Sequence, residues 1–580
     1  MSGPLPWHRT GLHRRLTIEQ AYRRATLLVD RCGLLPAVRD ALHCEVGAPR
    51  EFTARALLVG LAVHALRLED MHLTKVLDTL TELPGHAQKA LGLSGEATYR
   101  MVWHAFTRLI DALQAGTLAT AHNHPWVNRT TGELSPCPKA CPYEAITTTV
   151  FIARLLDASL PETMPLTGAV AVDSTDYETW ARRRSWSGHP DVDPDHLPVP
   201  DGTPAAPTRK VRAVNEPGWP RAGRDGRDQH THDHDARDGY RSGTNLSPGG
   251  VFCGHDLHLA VNARAVGGPE VPFVITGMHL APAGAHKGTA GLTVLDQFPA
   301  GTGHRRPQLT EVLADRGYSF CTPARWAYQV RARGLEAVID LHPRQRGTHP
   351  GPPGTKFIDG CLFSDALPPP LHDLPGFPIG MPSAAKAALR AQYDQRAQYA
   401  FTRHSRPDGD GYQRFKGPAV AGKVRCPNFP RSMRLPQTRP QTRCTPGADC
   451  ACGQTLTLPP EAMAWTRQRN LWGTTLWAAD YGRRSAVESS NAEIKTHRLH
   501  IDRGFTRVMG TVKNSVLLAF ALAGLNVILL RAWYAKRTLP DPWATLTGEP
   551  QPATGGKAKR TRAKRRPNTL ATLAGDAPPG

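Results

Sequence analysis

GAVAVD, residues 168–173, decides the fold, because it is a short apolar run that ends in an acid. Runs of small and β-branched residues between polar segments predict buried strands. The segments that follow repeat this alternation of short strands and helices, which predicts an α/β domain. The further strands are predicted at HDLHLAVNARA (255–265), VPFVITGM (271–278), TEVLAD (310–315) and LEAVIDLH (335–342), and helices at 288–298 and 322–334.

Three acids stand out by their positions. Asp173 ends the first strand, Asp315 ends TEVLAD, and Glu488 lies in the helical segment DYGRRSAVESSNAEIKTHRLH (480–500). Hard divalent cations prefer oxygen ligands, and two ions about 4 Å apart can hold the attacking and leaving oxygens of a phosphoryl transfer. The three acids therefore predict a site for two Mg²⁺ (or Mn²⁺) ions. Taken singly, each acid is better explained as a turn residue or a salt-bridge partner than as a metal ligand.

The segment around Glu488 carries a second pattern. Tyr481, Arg484, Glu488 and Lys495 are three, four and seven residues apart, so in one continuous helix their side chains share a face. That face offers a carboxylate for a metal, flanked by cations that can bind phosphate. Glu493 is turned away from Glu488 by about 140° and is not expected to share the site.

The spacing Tyr-(2)-Arg-(3)-Glu-(6)-Lys resembles the signature of one large group of DDE transposases from bacterial insertion sequences. The segments AVAVDSTD (169–176), GHDLHLAVN (254–262) and LADRGY (313–318) resemble the family's sequences around its first two acids. The resemblance implies an RNase H-like mixed sheet flanked by helices, formed by residues 165–342 plus 478–535. It also implies that an extra domain, here residues 343–477, is inserted before the glutamate.

The resemblance further implies an activity. Asp173, Asp315 and Glu488 would be the catalytic, Mg²⁺-binding acids, and Tyr481, Arg484 and Lys495 would hold DNA phosphates. The chain would bind the terminal inverted repeats of an insertion sequence, hydrolyse a phosphodiester there and join the freed end to target DNA. The expected partners are double-stranded DNA and, during synapsis, a second copy of the chain; the expected location is the bacterial cytoplasm, at the nucleoid. Two alternatives remain open, which are an RNase H-like nuclease that does not join strands and a non-catalytic DNA-binding protein derived from a transposase.

Outside these stretches the composition separates several regions. Residues 1–118 contain helical periodicity, for example in EFTARALLVGLAVHALRL (51–68), and predict either a helical DNA-binding module or an ordinary helical domain. Residues 181–250 are rich in Pro, Gly, Asp and Arg and predict a largely mobile insertion. Residues 540–580 predict a disordered basic tail.

Residues 343–477 are rich in Pro and Arg and are expected to be irregular. Four cysteines lie close together there, namely Cys426, Cys444, Cys450 and Cys452. Such a group can bind zinc and stabilise a region with little core, but the spacing is not a paired C-x2-C, so free thiols are the alternative.

The overall composition limits the class of protein. The chain has 580 residues and a net charge of +21, which favours a nucleic-acid partner, although a GC-rich genome also enriches Arg. The first 16 residues lack the apolar segment of a secretory signal. Residues 514–530 are apolar but contain Asn514, Ser515 and Asn526, so a buried core helix is expected there and no membrane association. A secreted mini-protein, a membrane transporter and a fibrous chain are excluded.

Overall fold

The computed structural model describes residues 16–42, 52–93, 95, 97–116, 126–127, 134–135, 146–182, 221–222, 228–229, 231–241, 249–298, 307–378 and 380–551. Its helices are α1 Ile18–Cys32, α2 Leu35–Leu42, α3 Ala54–Leu66, α4 Leu73–Thr81, α5 Gly85–Ala90, α6 Tyr99–Gln114, α7 Thr148–Ala158, α8 Lys287–Asp296, α9 Arg316–Ser319, α10 Ala327–Ala332, α11 Ser383–Ala397, α12 Thr475–Tyr481, α13 Ser485–Ala492, α14 Thr511–Lys536 and α15 Pro542–Thr547. The strands are β1 Ala169–Glu178, β2 Arg237–Arg241, β3 Gly250–Asn262, β4 Ile275–Pro282, β5 Glu311–Ala314, β6 Glu336–Ile339, β7 Thr348–Pro350, β8 Thr355–Ile358, β9 Cys361–Ser364, β10 Thr402–Arg403, β11 Gln413–Lys416 and β12 Thr455–Leu458. Two hairpins of two-residue strands, 126–127 with 134–135 and 221–222 with 228–229, complete the set.

A six-stranded mixed sheet forms the centre, which confirms the α/β prediction. Its order is β6-β5-β1-β3-β2, and β4 also pairs with β3. On one side β1 pairs with β5 in parallel and β5 with β6 in parallel; on the other side β3 is antiparallel to β1, β2 and β4. The central strand β1 is thus the place where the parallel and antiparallel halves of the sheet meet.

Both faces of this sheet are buried. Along β1, Ala169 and Ala171 pack into one hydrophobic core, whereas Val170 and Val172 pack into a second. The alternation follows from the two-residue period of a strand. The first core includes α7 and α14, and the second includes α8, α10 and the aromatic residues Trp472 and Trp477.

The N-terminal helices do not form a core of their own. Residues of α1 to α6 belong to the same hydrophobic core as α14 and one face of the sheet. A Cβ at Gly524 of α14 would lie 2.7 Å from the carbonyl oxygen of Ala65, so α3 and α14 pack in backbone contact. Arg24 of α1 is buried between Asp541 and Glu549, at 2.8 Å from each. The predicted domain boundary at residue 118 is therefore not a boundary between two cores.

The apolar helix α14 is the one helix of the described residues that is long and apolar enough to cross a membrane. In its most apolar window, 83% of the residues are buried inside the protein, which confirms the predicted core helix. Its polar side chains have protein partners: Asn526 exchanges hydrogen bonds with the main chain of Ile275, and Asn514 bonds to Tyr177 and Thr506.

The inserted region 343–477 is more regular than its composition predicts. It contains two three-stranded antiparallel sheets, β7-β8-β9 and β10-β11-β12, and the 15-residue helix α11. Each sheet contributes to a small core of its own. The strands were missed because they have only two to four residues, too few for a polarity period.

Two further boundaries differ from the predictions. Within 181–250, most residues lie outside the described part, but 231–241 are ordered and include β2. Asp233 and Asp235 accept hydrogen bonds from the main-chain amides of Gly510 and Thr511, at the start of α14. Within 540–580, α15 forms and Trp543 is fully buried, whereas residues 552–580 lie outside the described part.

Candidate active site

The first two acids lie side by side on neighbouring strands of the sheet. Val172 and Ala314 are the last register partners of the parallel pair β1–β5, and Asp173 and Asp315 are the residues that follow them. The prediction that Asp173 ends its strand is wrong, because β1 continues to Glu178 in its antiparallel pairing with β3, whereas Asp315 does follow the end of β5. Since neighbouring strands are about 4.8 Å apart, two acids that are 142 positions apart in the sequence are adjacent where the β1–β5 pairing ends.

Asp315 has a structural role as well. It is the N-cap of the short helix α9, where its Oδ1 accepts hydrogen bonds from the amides of Gly317 (2.9 Å) and Tyr318 (3.3 Å). A Cβ at Gly317 would lie 2.9 Å from that same oxygen, so the glycine lets the backbone approach the acid. The cap fixes the carboxylate at the end of β5.

Arg484 joins the first acid to the third. Its Nη1 donates to Asp173 Oδ2 at 3.1 Å, and its Nη2 donates to Glu488 Oε1 at 2.6 Å. One guanidinium thus spans the two carboxylates, although the residues are 315 positions apart in the sequence. Glu488 has 59% of its side chain exposed, whereas Asp173 has 17%. The acids converge around a cation, and Glu488 stays open to solvent.

The predicted continuous helix 480–500 is wrong. The segment consists of the end of α12, a 3₁₀ turn at Gly482–Arg484, the helix α13 and a π turn at Glu493–His497. Tyr481 stacks on Trp477 with an interplanar angle of 8°, and the Arg484 guanidinium lies 5.7 Å from the Tyr481 ring. Uniform 100° steps therefore do not apply from Tyr481 to Lys495.

Lys495 reaches the same strand by a different contact. Its Nζ donates to the main-chain oxygen of Asp176 and lies 3.3 Å from Asp176 Oδ2. Asp176 also accepts from Arg241 of β2 at 2.7 Å, and Arg241 bonds Glu178 as well. Asp176 and Glu178 form a second acidic group that sequence analysis did not separate from the first. Asp176 follows Asp173 by only three residues and reads as part of the same segment, AVAVDSTD (169–176). The one sequence feature that pointed to this group was a possible cationic partner, Arg241 in RDGYR (237–241).

Burial and charge shape the electrostatics of the site. The pKa of Asp173 is raised, first by burial and then by the neighbouring charge of Asp315, while Arg484 opposes the shift. Arg484 in turn has its pKa raised by Tyr481 and the surrounding acids, against the effect of burial. Beneath the acids, His258 Nδ1 lies 2.9 Å from the Tyr318 hydroxyl, and burial lowers the pKa of His258 to about 3. Asp173 is thus a largely buried acid beside a second acid, Asp315, and this arrangement favours the approach of positive charge.

Glu493 lies on a different surface from the three predicted acids. Its carboxylate pairs with Arg498, and the residue lines a groove together with Phe273 and Trp533. Glu488 lines no part of that groove. The two glutamates of the segment therefore face different surfaces.

The inserted region supplies one wall beside the site. A cavity of about 650 Å³ lies between Tyr481 and the insertion, and its lining combines aromatic rings with cations. Trp472 and Trp477 donate their indole N–H groups to Asp340 and to the main chain of Ile339, which fixes the insertion to β6. The lining cations are Arg316, Arg346, Lys386 and Arg390.

The inserted region also contains a group of thiols. The four Sγ atoms of Cys426, Cys444, Cys450 and Cys452 all lie within 4.8 Å of one another, so this cluster could bind a metal ion. In the part of the chain that the structure describes, it is the one group of three or more such side chains that closes to this extent. Asp173, Asp315 and Glu488 do not, since Arg484 lies between two of them.

Comparison with known proteins leaves the family open. No family model matches the chain, and no curated protein matches it.

Proposed function

We propose that this chain is a DDE transposase that cuts the ends of an insertion sequence and joins them to target DNA. The observation that carries the proposal is the convergence of Asp173, Asp315 and Glu488. The two aspartates lie next to each other on neighbouring parallel strands, directly after their last paired residues, and Arg484 holds the glutamate to the first of them. Acids that served only as local caps or surface charges would not be expected to lie this close together in the fold.

The topology supports an RNase H-like catalytic domain. Such a fold places its first acid on the first strand, its second after the fourth strand of the core and its third on a late helix. If β2 is counted as an addition to the edge, β1, β3, β4 and β5 are those four core strands, and Asp315 follows the fourth. Glu488 lies on α13, which contacts β1 and β3.

The donor set suits divalent magnesium or manganese. Asp173, Asp315 and Glu488 offer only carboxylate oxygens, the ligands that these hard cations prefer. The pKa of Asp173 is raised by burial and then by the charge of Asp315, and a bound cation would oppose both effects. When bound, two such ions would supply the Lewis acidity and the activation of water that phosphodiester hydrolysis needs.

The residues of the chain then have separate tasks. Arg484 is free to exchange one of its two carboxylate contacts for a phosphate oxygen, because its guanidinium can bind two partners at once. Tyr481, stacked on Trp477, supplies a rigid wall beside the scissile strand. Hydrolysis breaks the P–O3′ bond and leaves a 3′-hydroxyl; that hydroxyl attacks a phosphodiester of the target and displaces the target's own 3′-hydroxyl.

A basic and aromatic surface supports double-stranded DNA as the partner. Trp180, with 41% of its surface exposed, lies 5.9 Å from the guanidinium of Arg503 and 5.1 Å from that of Arg507. Lys513 lies 5.5 Å from the Trp103 ring on α6. Among the described residues, no carboxylate lies within ion-pair distance of Arg503 or Arg507, so both are available for phosphates.

This basic and aromatic surface comes directly after the catalytic segment in the sequence. Residues 498–510 connect the π turn after α13 to α14, and His72 of the N-terminal helices bonds the carbonyl of Gly504 at 2.6 Å. DNA leaving the acids would thus pass along this loop toward α6. Synapsis of two element ends requires a second copy of the chain, and the site of action would be the bacterial nucleoid.

Strand joining tests the proposal. The purified chain would be incubated with Mg²⁺, a labelled duplex that carries the DNA flanking its reading frame, and a circular target. A transposase joins the labelled 3′ end to the circle, and Asp173→Asn abolishes joining. Cutting without joining would show a nuclease, and binding without either reaction would show a non-catalytic protein; both outcomes would overturn the proposal.

A further inference from the structure

We propose that Cys426, Cys444, Cys450 and Cys452 form a structural zinc site that organises the inserted region. Two sulfur–sulfur distances are 3.7 Å (Cys426 to Cys450) and 3.8 Å (Cys444 to Cys452). Four thiolates at the usual Zn–S distance of about 2.3 Å form a tetrahedron with edges of about 3.8 Å. Both distances are far longer than the roughly 2.05 Å of a disulfide.

The four sulfurs come from three places in the chain. Cys426 follows the bridge between Arg425 and Gln441, Cys444 lies in the loop beyond it, and Cys450 and Cys452 are the N-cap and the middle residue of the 3₁₀ turn Ala451–Gly453. Cys426 and Cys452 are fully buried. An ion bound by all four would join the two ends of a long irregular loop, 426–452, which has no regular strand or α-helix to hold it.

Neighbouring polar groups are placed to support thiolates. The Ser364 hydroxyl lies 2.9 Å from Cys452 Sγ, and Asn428 Nδ2 points to Cys450 Sγ at 3.6 Å. Donors of this kind orient the ligands of a metal and compensate part of their negative charge. Asn428 also bonds the carbonyls of Thr445 and Ala448, so the same side chain connects both sides of the loop.

The chemistry of the ligands identifies the ion and its role. Thiolates select soft or borderline metals, and a tetrahedral set of four sulfurs is typical of zinc. Four protein ligands leave no open position for water or substrate, so the site is structural. The small hydrophobic core around it has ten buried residues, two of which are the ligands Cys426 and Cys452. A region with so little core gains much of its stability from a bound ion.

The zinc site would act on the catalytic site only indirectly. The main chain of Cys452 accepts a hydrogen bond from Ala419, which ties the loop to the body of the insertion. The insertion in turn holds β6 through Trp472 and reaches Tyr481 through Trp477. Loss of zinc would loosen the wall beside the acids and leave the sheet that carries Asp173 and Asp315 intact.

The test is the zinc content of the full chain, purified in reducing buffer, which requires neither DNA nor catalysis. We expect one zinc per chain in the parent and in the control Cys321→Ser, which removes a cysteine outside the cluster, and none in Cys426→Ser or Cys452→Ser. Should those two variants fail to fold, the parent refolded with Co²⁺ would give the ligand-field spectrum of a tetrahedral cobalt thiolate. A folded parent without zinc and with four freely titrating thiols would overturn the proposal, as would disulfides between these cysteines or the visible absorption of an iron–sulfur cluster.

Discussion

Arg484 donates a hydrogen bond to Asp173 at 3.1 Å, so the arginine of the helical segment lies directly on the acid of the central strand. The same guanidinium holds Glu488. Asp173 has 17% of its side chain exposed and lies next to Asp315, so Arg484 is the main compensation for its charge. This cation occupies the space in which divalent ions would be expected to bind, and the two kinds of positive charge should compete.

That competition gives a first prediction. Arg484→Ala should lower the free energy of unfolding by about 1–3 kcal/mol, because a largely buried carboxylate loses its charged donor. Addition of MgCl₂ should raise the Tm of this variant more than that of the parent, since the acids gain the replacement cation. Thermal unfolding at matched ionic strength measures both effects. The double variant Asp173→Asn/Arg484→Ala is the control, and an equal Mg²⁺ effect in the parent and in Arg484→Ala would refute the idea of competition.

Lys495 and Asp176 should be energetically coupled. Burial lowers the pKa of Lys495, and Asp176 opposes this by favouring the charged form. A double-mutant cycle with Lys495→Met and Asp176→Asn, measured by urea unfolding, should give a coupling energy of about 1 kcal/mol. Strictly additive effects would show that the contact contributes nothing to the free energy of unfolding. The role of Lys495 would then be limited to the proposed binding of DNA phosphates.

The surface around Trp180 should determine the salt dependence of DNA binding. Each phosphate contact contributes about 0.9 to the slope of log K against log salt. Arg503→Ser/Arg507→Ser should therefore reduce the slope by up to about 2, without a change in Tm. The matched control is Arg434→Ser/Arg439→Ser, which removes two exposed arginines of the insertion. An equal loss in both variants would mean that only net charge matters.

His258 should make stability depend on pH below neutrality. Its pKa is about 3 in the folded protein, against about 6.5 in an unfolded chain. As the pH falls below 6.5, the unfolded state takes up the proton first, so stability declines by up to about 1.4 kcal/mol per pH unit. Urea unfolding between pH 6.5 and 5 should show a smaller decline for His258→Gln. Parallel pH profiles of the parent and the variant would show that His258 is not responsible.

Sequence patterns located the elements whose signal is local. The strand around Val170 and Val172, the helix α6 and the core helix α14 follow from runs of apolar residues with a strand or helix period. The closeness of Asp173 and Asp315 could be expected as well, because each acid directly follows an apolar run, and these two runs pair side by side in parallel.

Other features depend on partners that no local pattern reveals. Asp233 looks like part of a solvated polar loop in HTHDHD, but it is fully buried and bonds Gly510, 277 positions away. The strand β2 is polar and pairs only because β3 extends beyond β1 and offers it an edge. The π turn at Glu493–His497 interrupts a segment that reads as one helix, and Lys495 within this turn contacts Asp176 of β1.

The most direct test of the account compares the two glutamates of the catalytic segment. Glu488 contacts Arg484 beside the aspartates, whereas Glu493 pairs with Arg498 on another surface. Each would be changed to Gln, which keeps size and hydrogen bonding but removes the charge that a divalent ion needs. Cleavage of the labelled flanking duplex would be measured in Mg²⁺, with DNA binding as the control for folding. The account predicts no detectable cleavage by Glu488→Gln with binding retained, and cleavage within a few-fold of the parent by Glu493→Gln. Full cleavage by Glu488→Gln, or its loss in Glu493→Gln alone, would contradict it.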